Sequence, residues 1–490
     1  MIISFIYFTL ILVAFKYIKC LQVKNAPNWT MSLAFIIKTT MGLFFSYIYI
    51  YHTKNPSEPS DAIRFLDESK QLYAIFFQSK SDFFAMFTGI GDNANMIHKY
   101  MNKSFIWDAG NFTMINDSRN TIRFHCLIRF ISFNSTFVHT LVLCALSLIG
   151  IQQLQLAFQP YSKLKPIYLF SILLLFPSLL FWSSGILKEP FLILGIGIFS
   201  RACLIKENKY YRLLLLTIGF CILLLFKPYI LICLFPAIGF YIAFKYIFKE
   251  RIKLTVFAIL LLVTTLILLF PSKRQRFTEY ISRKQFDLEN VGEGGIHVYG
   301  ETCFYYFKPS QYKNLRIKDG FAELVKTSEA FELSWIDTKT IPKHVLLNPN
   351  GKKWKIHIIM PGTNSYIKTT SIDNSFIQLI KNIPEAIINV LFRPFPFDNG
   401  SFLKYPAMFE AWLISLFILL SLVFRRKIDS NSKGIIFGLL IFAFSLILLI
   451  GWTTPVIGAI VRFRFPAQLA LLLIGAILID SSIIFKKNKP

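Results

Sequence analysis

Charge is scarce in this chain, and acid is scarcer than base. Only 16% of its 490 residues are Asp, Glu, Lys or Arg, and 27 acids stand against 53 bases; a soluble domain carries about a quarter charged residues. So dry a composition excludes an ordinary soluble protein. Seven cysteines lie mostly inside apolar runs and without paired spacing, which excludes a disulfide framework and a zinc site. Seven histidines are equally dispersed, so nothing points to a His-held metal. GEGG at Gly292 to Gly295 has no strand and helix framing it as a phosphate loop; it reads as a turn. The net charge of +26 does not mark a nucleic-acid partner, because the bases are scattered among short loops instead of gathered on one face. The asymmetry of inner and outer loops in membrane proteins accounts for much of the excess.

What the chain has in abundance is apolar sequence, 54% of residues. Runs of about 20 such residues, enough to cross about 30 Å of hydrocarbon, recur along most of its length. The first, ending near Ile18, has neither a basic leader nor a cleavage site and reads as a retained span. Lys16, Lys19 and Lys24 then mark an inner turn. Trp29 to Tyr51 returns outward and carries Lys38 near its middle, a functional candidate because an intramembrane lysine is costly. Further crossings are read at Phe137–Phe158, Ile167–Trp182, Phe191–Ile205, Leu213–Phe226, Ile230–Phe248, Leu254–Phe270, Tyr405–Phe424, Ile435–Ile450 and Phe465–Phe485. The inner turns by this count are basic, as with Lys163 and Lys165, or Arg425 to Lys427.

The expectation is an all-α polytopic membrane protein of about eleven transmembrane helices. Residues 1–270 form the transmembrane core, with an outer loop at 52–122 whose amphipathic stretches lie along the interface. Residues 271–404 lack apolar runs and form a mixed α/β extracytoplasmic insertion, with a strand at Lys353 to Met360 and an amphipathic helix from Ser375 to Phe392. Residues 405–490 return to the membrane.

By this topology four features share the outer face: Asp61, the Lys188-Glu189 pair in PSLLFWSSGILKEP, Lys227 in LLFKPYI, and Arg462 with Arg464 in VRFRFP. An isolated Ser60-Asp61 turn is an ordinary helix cap, and Lys or Arg at a span end often only snorkels. Four such features on the side that the positive-inside bias leaves poor in cations carry more weight. Moving a sugar off a polyprenyl-phosphate carrier needs a carboxylate to take the acceptor's hydroxyl proton and cations to neutralise the phosphate that leaves. Asp61 or Glu189 supplies the first, and lysine or arginine at headgroup level the second.

In these residues the chain resembles the GT-C glycosyltransferases, in particular bacterial relatives of the protein O-mannosyltransferases and the lipid A aminoarabinose transferases. SDAIRFL at Asp61 is similar to that family's acidic first outer loop, SSGILKEPFLILG at Glu189 to its second acid between spans, LLFKPYI to its Lys-Gly-Pro-like phrase, and VRFRFPAQLALLL to its late Arg-Tyr-Arg-x-Pro-like phrase. The likeness runs from Asp61 to about Ile242, with one anchor near the C-terminus, and leaves out Pro271 to Lys404. It implies a bacterial cytoplasmic membrane enzyme with its active site on the outer face, a polyprenyl-phosphate-linked sugar donor, and a glycan, lipid or protein acceptor. It also implies Asp61 as base, Glu189 positioning the acceptor or a metal, and Lys188, Lys227, Arg462 and Arg464 holding phosphate. Some relatives use a divalent cation; this sequence does not require one. Two spans precede Asp61 where the family has one. If the first is an addition the scheme holds, and if not Asp67 or Glu68 takes the acid's place.

Two other classes compete. A surface-polysaccharide polymerase or ligase using polyprenyl-diphosphate glycans would rely on arginines of the large outer loop, such as Arg274, Arg276 or Arg283, with Asp61 dispensable. A transporter or flippase without chemistry would show paired halves and helices broken at the midplane, and only Lys38 and Gln152, Gln153 and Gln155 speak for it.

Overall fold

A computed structural model describes residues 2–52, 60–102, 104, 106–107, 116–205, 207–246, 271–334, 342–372 and 375–480. Among the described residues the chain is mostly helical with a small sheet, and six helices are long and apolar enough to cross a membrane: Thr30–Tyr51, Thr136–Tyr161, Lys209–Phe226, Lys404–Val423, Ser430–Thr453 and Ile457–Leu478. Ile2–Tyr17 and Pro228–Ile242 are apolar but shorter. The chain divides into two compact units, one of residues 1–238, 417–436 and 471–490, the other of residues 239–416 and 437–470.

In the first unit, α1 (Ile2–Tyr17) packs on α2 (Thr30–Ser46), whose last turns widen into a π-helical stretch at Tyr47–His52. Ser32 donates to the Leu12 carbonyl across this pair, and Phe35 meets the rings of Phe8 and Phe15. Four helices follow: α3 (Asp61–Gln78), α4 (Lys80–Thr88), α5 (Ala94–Tyr100) and α6 (Asp117–Ser132). Phe65, Leu72 and Ile75 of α3 close a core with Phe83, Met86, Trp107, Ile122 and Cys126. The expected interfacial stretch is therefore a small helical layer with its own apolar centre.

The long helix α7 (Thr136–Phe158) packs against α10 (Glu189–Leu204), and α10 in turn against α11 (Lys209–Phe226). Small residues set the first contact. A Cβ on Gly150 would lie 2.6 Å from the Ile193 carbonyl, and one on Gly197 would collide with the Gly150 carbonyl oxygen. Helices in lipid gain little from hydrophobicity against each other, so close backbone approach and dispersion hold them.

Two expected crossings are revised. Ile167–Trp182 is not one helix but α8 (Pro166–Leu174) and α9 (Pro177–Trp182), parted where Phe176 is extended ahead of Pro177. Proline disfavours helical backbone in the residue before it and lacks the amide the helix would need. The last crossing, expected from Phe465, begins at Ile457, so RFRFP lies inside a helix with Pro466 within it and not at its mouth. The crossing at Leu254–Phe270, and the end of that at Ile230–Phe248, fall outside the described residues. What is described of the latter is α12 (Pro228–Tyr246).

The second unit holds α13 (Pro271–Glu293) and an antiparallel seven-stranded sheet of order β3-β4-β7-β1-β2-β5-β6. Its strands are β1 (Gly295–Tyr299), β2 (Cys303–Phe307), β3 (Leu315–Lys318), β4 (Phe321–Leu324), β5 (Ser328–Ser334), β6 (Lys343–Leu347) and β7 (Lys353–Met360). The last is the strand its sequence suggests. GEGG turns α13 into β1, with Gly294 at φ +84°, a conformation cheap for glycine alone. Ile296, Val298, Phe307 and Trp354 fill one face of the sheet. The helix expected from Ser375 to Phe392 is two, α14 (Phe376–Lys381) and α15 (Ile383–Leu391), parted at Asn382 with Pro384 opening the second. Three apolar helices end the described chain: α16 (Lys404–Val423), α17 (Ser430–Thr453) and α18 (Ile457–Leu478).

Candidate functional site

Asp61 opens α3, behind Ser60, whose hydroxyl donates to the Tyr49 carbonyl and ties the helix start to the end of α2. Asp61 is exposed, while Phe65, one turn on and on the same helix face, is buried. Glu68 continues that face but is already engaged: Ser104 donates to it at 2.5 Å and the Ile106 amide at 3.2 Å, pinning the loop before α6. Asp67, the other substitute, is exposed on a different face. Of the three acids, Asp61 alone combines exposure with the face that Phe65 marks.

The loop between α9 and α10 comes to that face. Lys188 Nζ lies 5.8 Å from the centre of the Phe65 ring. It is fixed from the other side by the first turn of α6, 2.7 Å from the Asp117 carboxylate and 2.7 Å from the Ser118 hydroxyl. Asn116 caps that turn, its side chain accepting from the Ser118 and Arg119 amides. Glu189, the first residue of α10, sits 3.4 Å from Lys227, and both side chains are within 5% of complete burial. Lys227 occupies the one-residue joint between α11 and α12, 5.5 Å from the Tyr229 ring. Asn120 donates to the Leu225 carbonyl at 2.9 Å, locking α6 to the end of α11, and Phe191 stacks on Phe226 at 3.9 Å. Asp61's helix, Lys188, Glu189 and Lys227 thus share one end of the helix bundle in the first unit.

Sequence reasoning passed over Asp117 and Arg119. Arg119 is fully buried and, with Arg123, flanks the Trp107 indole at 4.8 Å and 5.4 Å. Burial, reinforced by the Arg119 charge, pushes the Arg123 guanidinium down to about 10. The signal that could have found them is DSRN immediately ahead of the apolar-periodic stretch, a helix start with an acid and a base in its first turn.

Beneath this end, Lys38 is fully buried in α2 and donates to Ser183 at 2.9 Å, while Ser183 donates on to the Leu179 carbonyl. The lysine reaches the loop that carries Lys188 and Glu189.

Arg462 and Arg464 belong to the second unit, in the second turn of α18. Arg462 is partly buried. Arg464 is fully buried, its guanidinium donating to the carbonyls of Val390 and Ala407 at 3.0 Å each and to that of Arg393. It fastens the end of α15 and the start of α16 to α18.

Among the described residues no group of three or more His, Cys, Asp or Glu side chains could hold a metal ion. Glu189 and Asp117 each face a lysine, a donor set suited to an ion pair and not to a divalent cation. Compared with family models, with curated proteins and with solved structures, the chain matches none.

Proposed function

We propose that the chain is an integral membrane glycosyltransferase moving a sugar from a polyprenyl-phosphate donor to a hydroxyl acceptor at the membrane surface. The observation that carries this reading is Lys188 beside Phe65, since Phe65 stands one turn from Asp61 on the same helix face. A fixed cation and, one helical turn from the ring beside it, an exposed carboxylate then lie toward the end of an apolar bundle, where a lipid-linked phosphate would lie. Asp61 takes the acceptor's hydroxyl proton as the oxygen attacks the anomeric carbon from the face opposite the phosphate. The bond from carbon to phosphate oxygen breaks, the configuration inverts, and Lys188 meets the charge that stays on the carrier. Glu189 and Lys227 brace the site from within. The phosphate-holding part expected of Arg462 and Arg464, which belong to the second unit, rests on the resemblance alone. The full count of about eleven spans and an active site on the outer face of a bacterial-type cytoplasmic membrane belong to the same proposal.

A second reading, movement of a lipid-linked glycan without chemistry, draws on the break between α8 and α9 and on the buried Lys38 bonded to Ser183 at the far end of α9. One experiment separates the two: turnover of a panel of polyprenyl-phosphate sugars in proteoliposomes by the native chain, Asp61→Asn and Glu189→Gln. Transfer that falls at least 100-fold in Asp61→Asn, within the range of about 10²–10⁴ typical of a lost general base, supports the enzyme. No donor consumption by the native chain, with labelled lipid-linked sugar appearing in the opposite leaflet, supports the transporter. Polymerisation that survives Asp61→Asn and fails on loss of Arg276 or Arg283 supports the polymerase class, although Arg283 is held by Asp287 at 2.9 Å.

A further inference from the structure

The segment from Phe376 to Tyr405 of the second unit is apolar on the wrong side for a water-exposed domain. Leu379 packs with Ile281 and Ile372, and a Cβ on Gly451 would lie 2.6 Å from Ala386, so α14 and α15 have a defined inner face against α13 and α17. Their opposite face carries Ile377, Ile380, Ile388 and Phe392, all exposed. Pro384, Ile388 and Phe392 repeat every four residues, one line along a helix. The turn that follows exposes Phe397 and Phe402 at 80% and 79%, yet it is tightly held. Arg393 pairs with Asp398 at 2.7 Å, the Phe395 amide donates to the same carboxylate, and Lys404 donates to the carbonyls of Pro396 and Asp398. Bare phenylalanines on a braced turn are presented, not frayed.

What covers this face is indicated by where it leads. Past the exposed Asn399, Gly400 and Ser401, the turn leads into α16, one of the helices able to cross a membrane, whose first turns expose Tyr405, Phe409 and Trp412 before the aliphatic Leu413, Leu416 and Leu419. Aromatic residues ahead of an aliphatic stripe mark the headgroup boundary of a span. Lys381, exposed at the end of α14, stands at the margin of the apolar line, where phospholipid headgroups would meet it.

We infer that α14, α15 and the 393–402 turn form an interfacial elbow that lies in the phospholipid leaflet entered by the start of α16, with Ile388, Phe392, Phe397 and Phe402 among the acyl chains. This does not depend on the glycosyltransferase reading. It sets the sheet of the second unit at a fixed height above the bilayer.

The test is photocrosslinking of the full chain in phospholipid nanodiscs, with benzoylphenylalanine placed singly at Ile388, Phe397, Trp412 and Lys352, and adducts read by mass spectrometry. Trp412 is the lipid-facing reference and Lys352, exposed ahead of β7, the water-facing one. Lipid adducts at Ile388 and Phe397 at yields within about threefold of Trp412, with none at Lys352, are expected from helices lying among acyl chains. Adducts to a second copy of the chain or to another protein, or no lipid adduct at either site while Trp412 labels, overturn the inference. Ile388→Glu supplies an independent measurement. Hydrogen exchange of the 383–391 amides in nanodiscs should rise at least tenfold while that of β1 and β7 stays unchanged; no change overturns it too.

Discussion

Breaking the Glu189–Lys227 pair on one side should cost far more than removing it whole. At 3.4 Å, two unit charges attract by about 5 kcal/mol at an effective dielectric near 20. Burying each costs several kcal/mol, so the intact pair nets close to zero, whereas a lone buried charge loses the attraction and keeps the penalty. The separation is longer than the 2.7–2.9 Å of a tight charged hydrogen bond, which makes Coulomb attraction the larger part of what is lost. Lys227→Met and Glu189→Leu should each lose about 3–5 kcal/mol, and the double variant about 1–2 kcal/mol. The coupling between the two sites then comes to roughly 4 kcal/mol or more, well outside the scatter of independent sites. Equilibrium unfolding in mixed micelles titrated with SDS, read by tryptophan fluorescence for all four proteins, measures it. Single losses that add within about 0.5 kcal/mol would refute the reasoning. Sugar transfer recovered together with stability in the double variant would leave Glu189 with no part in the chemistry.

Ser183→Ala should destabilise by about 1–3 kcal/mol, because it strands the buried Lys38 amine, whereas Lys38→Met leaves Ser183 still bonded to the Leu179 carbonyl and should be near neutral; the same titration compares them. Gly197→Ala should lose about 1–3 kcal/mol and lower the melting temperature by light scattering, since its Cβ meets the Gly150 carbonyl across the α7–α10 contact; an unchanged melting point would mean the helices separate freely. His297, in β1, is held down to about 4 by burial and then by the charges of His357 and Arg283, and its buried Nε2 has no hydrogen-bond partner. The unfolded chain takes up a proton near pH 6.5 that the folded one refuses, so stability is whole above about 6.5 and falls by roughly 3 kcal/mol as pH drops to about 4. Melting curves from pH 7.5 to 4.5 should show this loss, and His297→Gln should flatten it.

Much of the helical plan is readable from apolar run length, and β7 from its alternation, because both are local. What misleads is polarity inside a run. Arg462 and Arg464 interrupt the last apolar stretch, so sequence places the helix start after them. The carbonyls that satisfy Arg464 come from Val390, Arg393 and Ala407, more than fifty residues away, and no local pattern announces them. Pro177 and Pro384 were visible, but in each case the flanking apolar periodicity masks the break. At the candidate site Lys188, Glu189 and Lys227 stand out as charges at the edges of apolar runs, and Asp61 as an acid opening an amphipathic stretch. Asp117 does not, since an acid in a first helical turn is ordinary and its partner Lys188 lies 71 residues on, in another element.

Lys38 and Arg464, both buried in apolar helices, meet their acceptors at opposite times during synthesis. Arg464 emerges after Val390, Arg393 and Ala407, so its acceptors are already made when α18 enters the membrane. Lys38 emerges 145 residues before Ser183. A lysine near a helix centre adds about 2.5–3.5 kcal/mol to the cost of insertion, so α2 alone is a poor candidate for early, stable entry into lipid. Chains truncated before α9 should leave α2 partly uninserted in glycosylation mapping, and chains extended past Ser184 should draw it in. By that reasoning the loop that carries Lys188 would complete the membrane insertion of a helix made long before it.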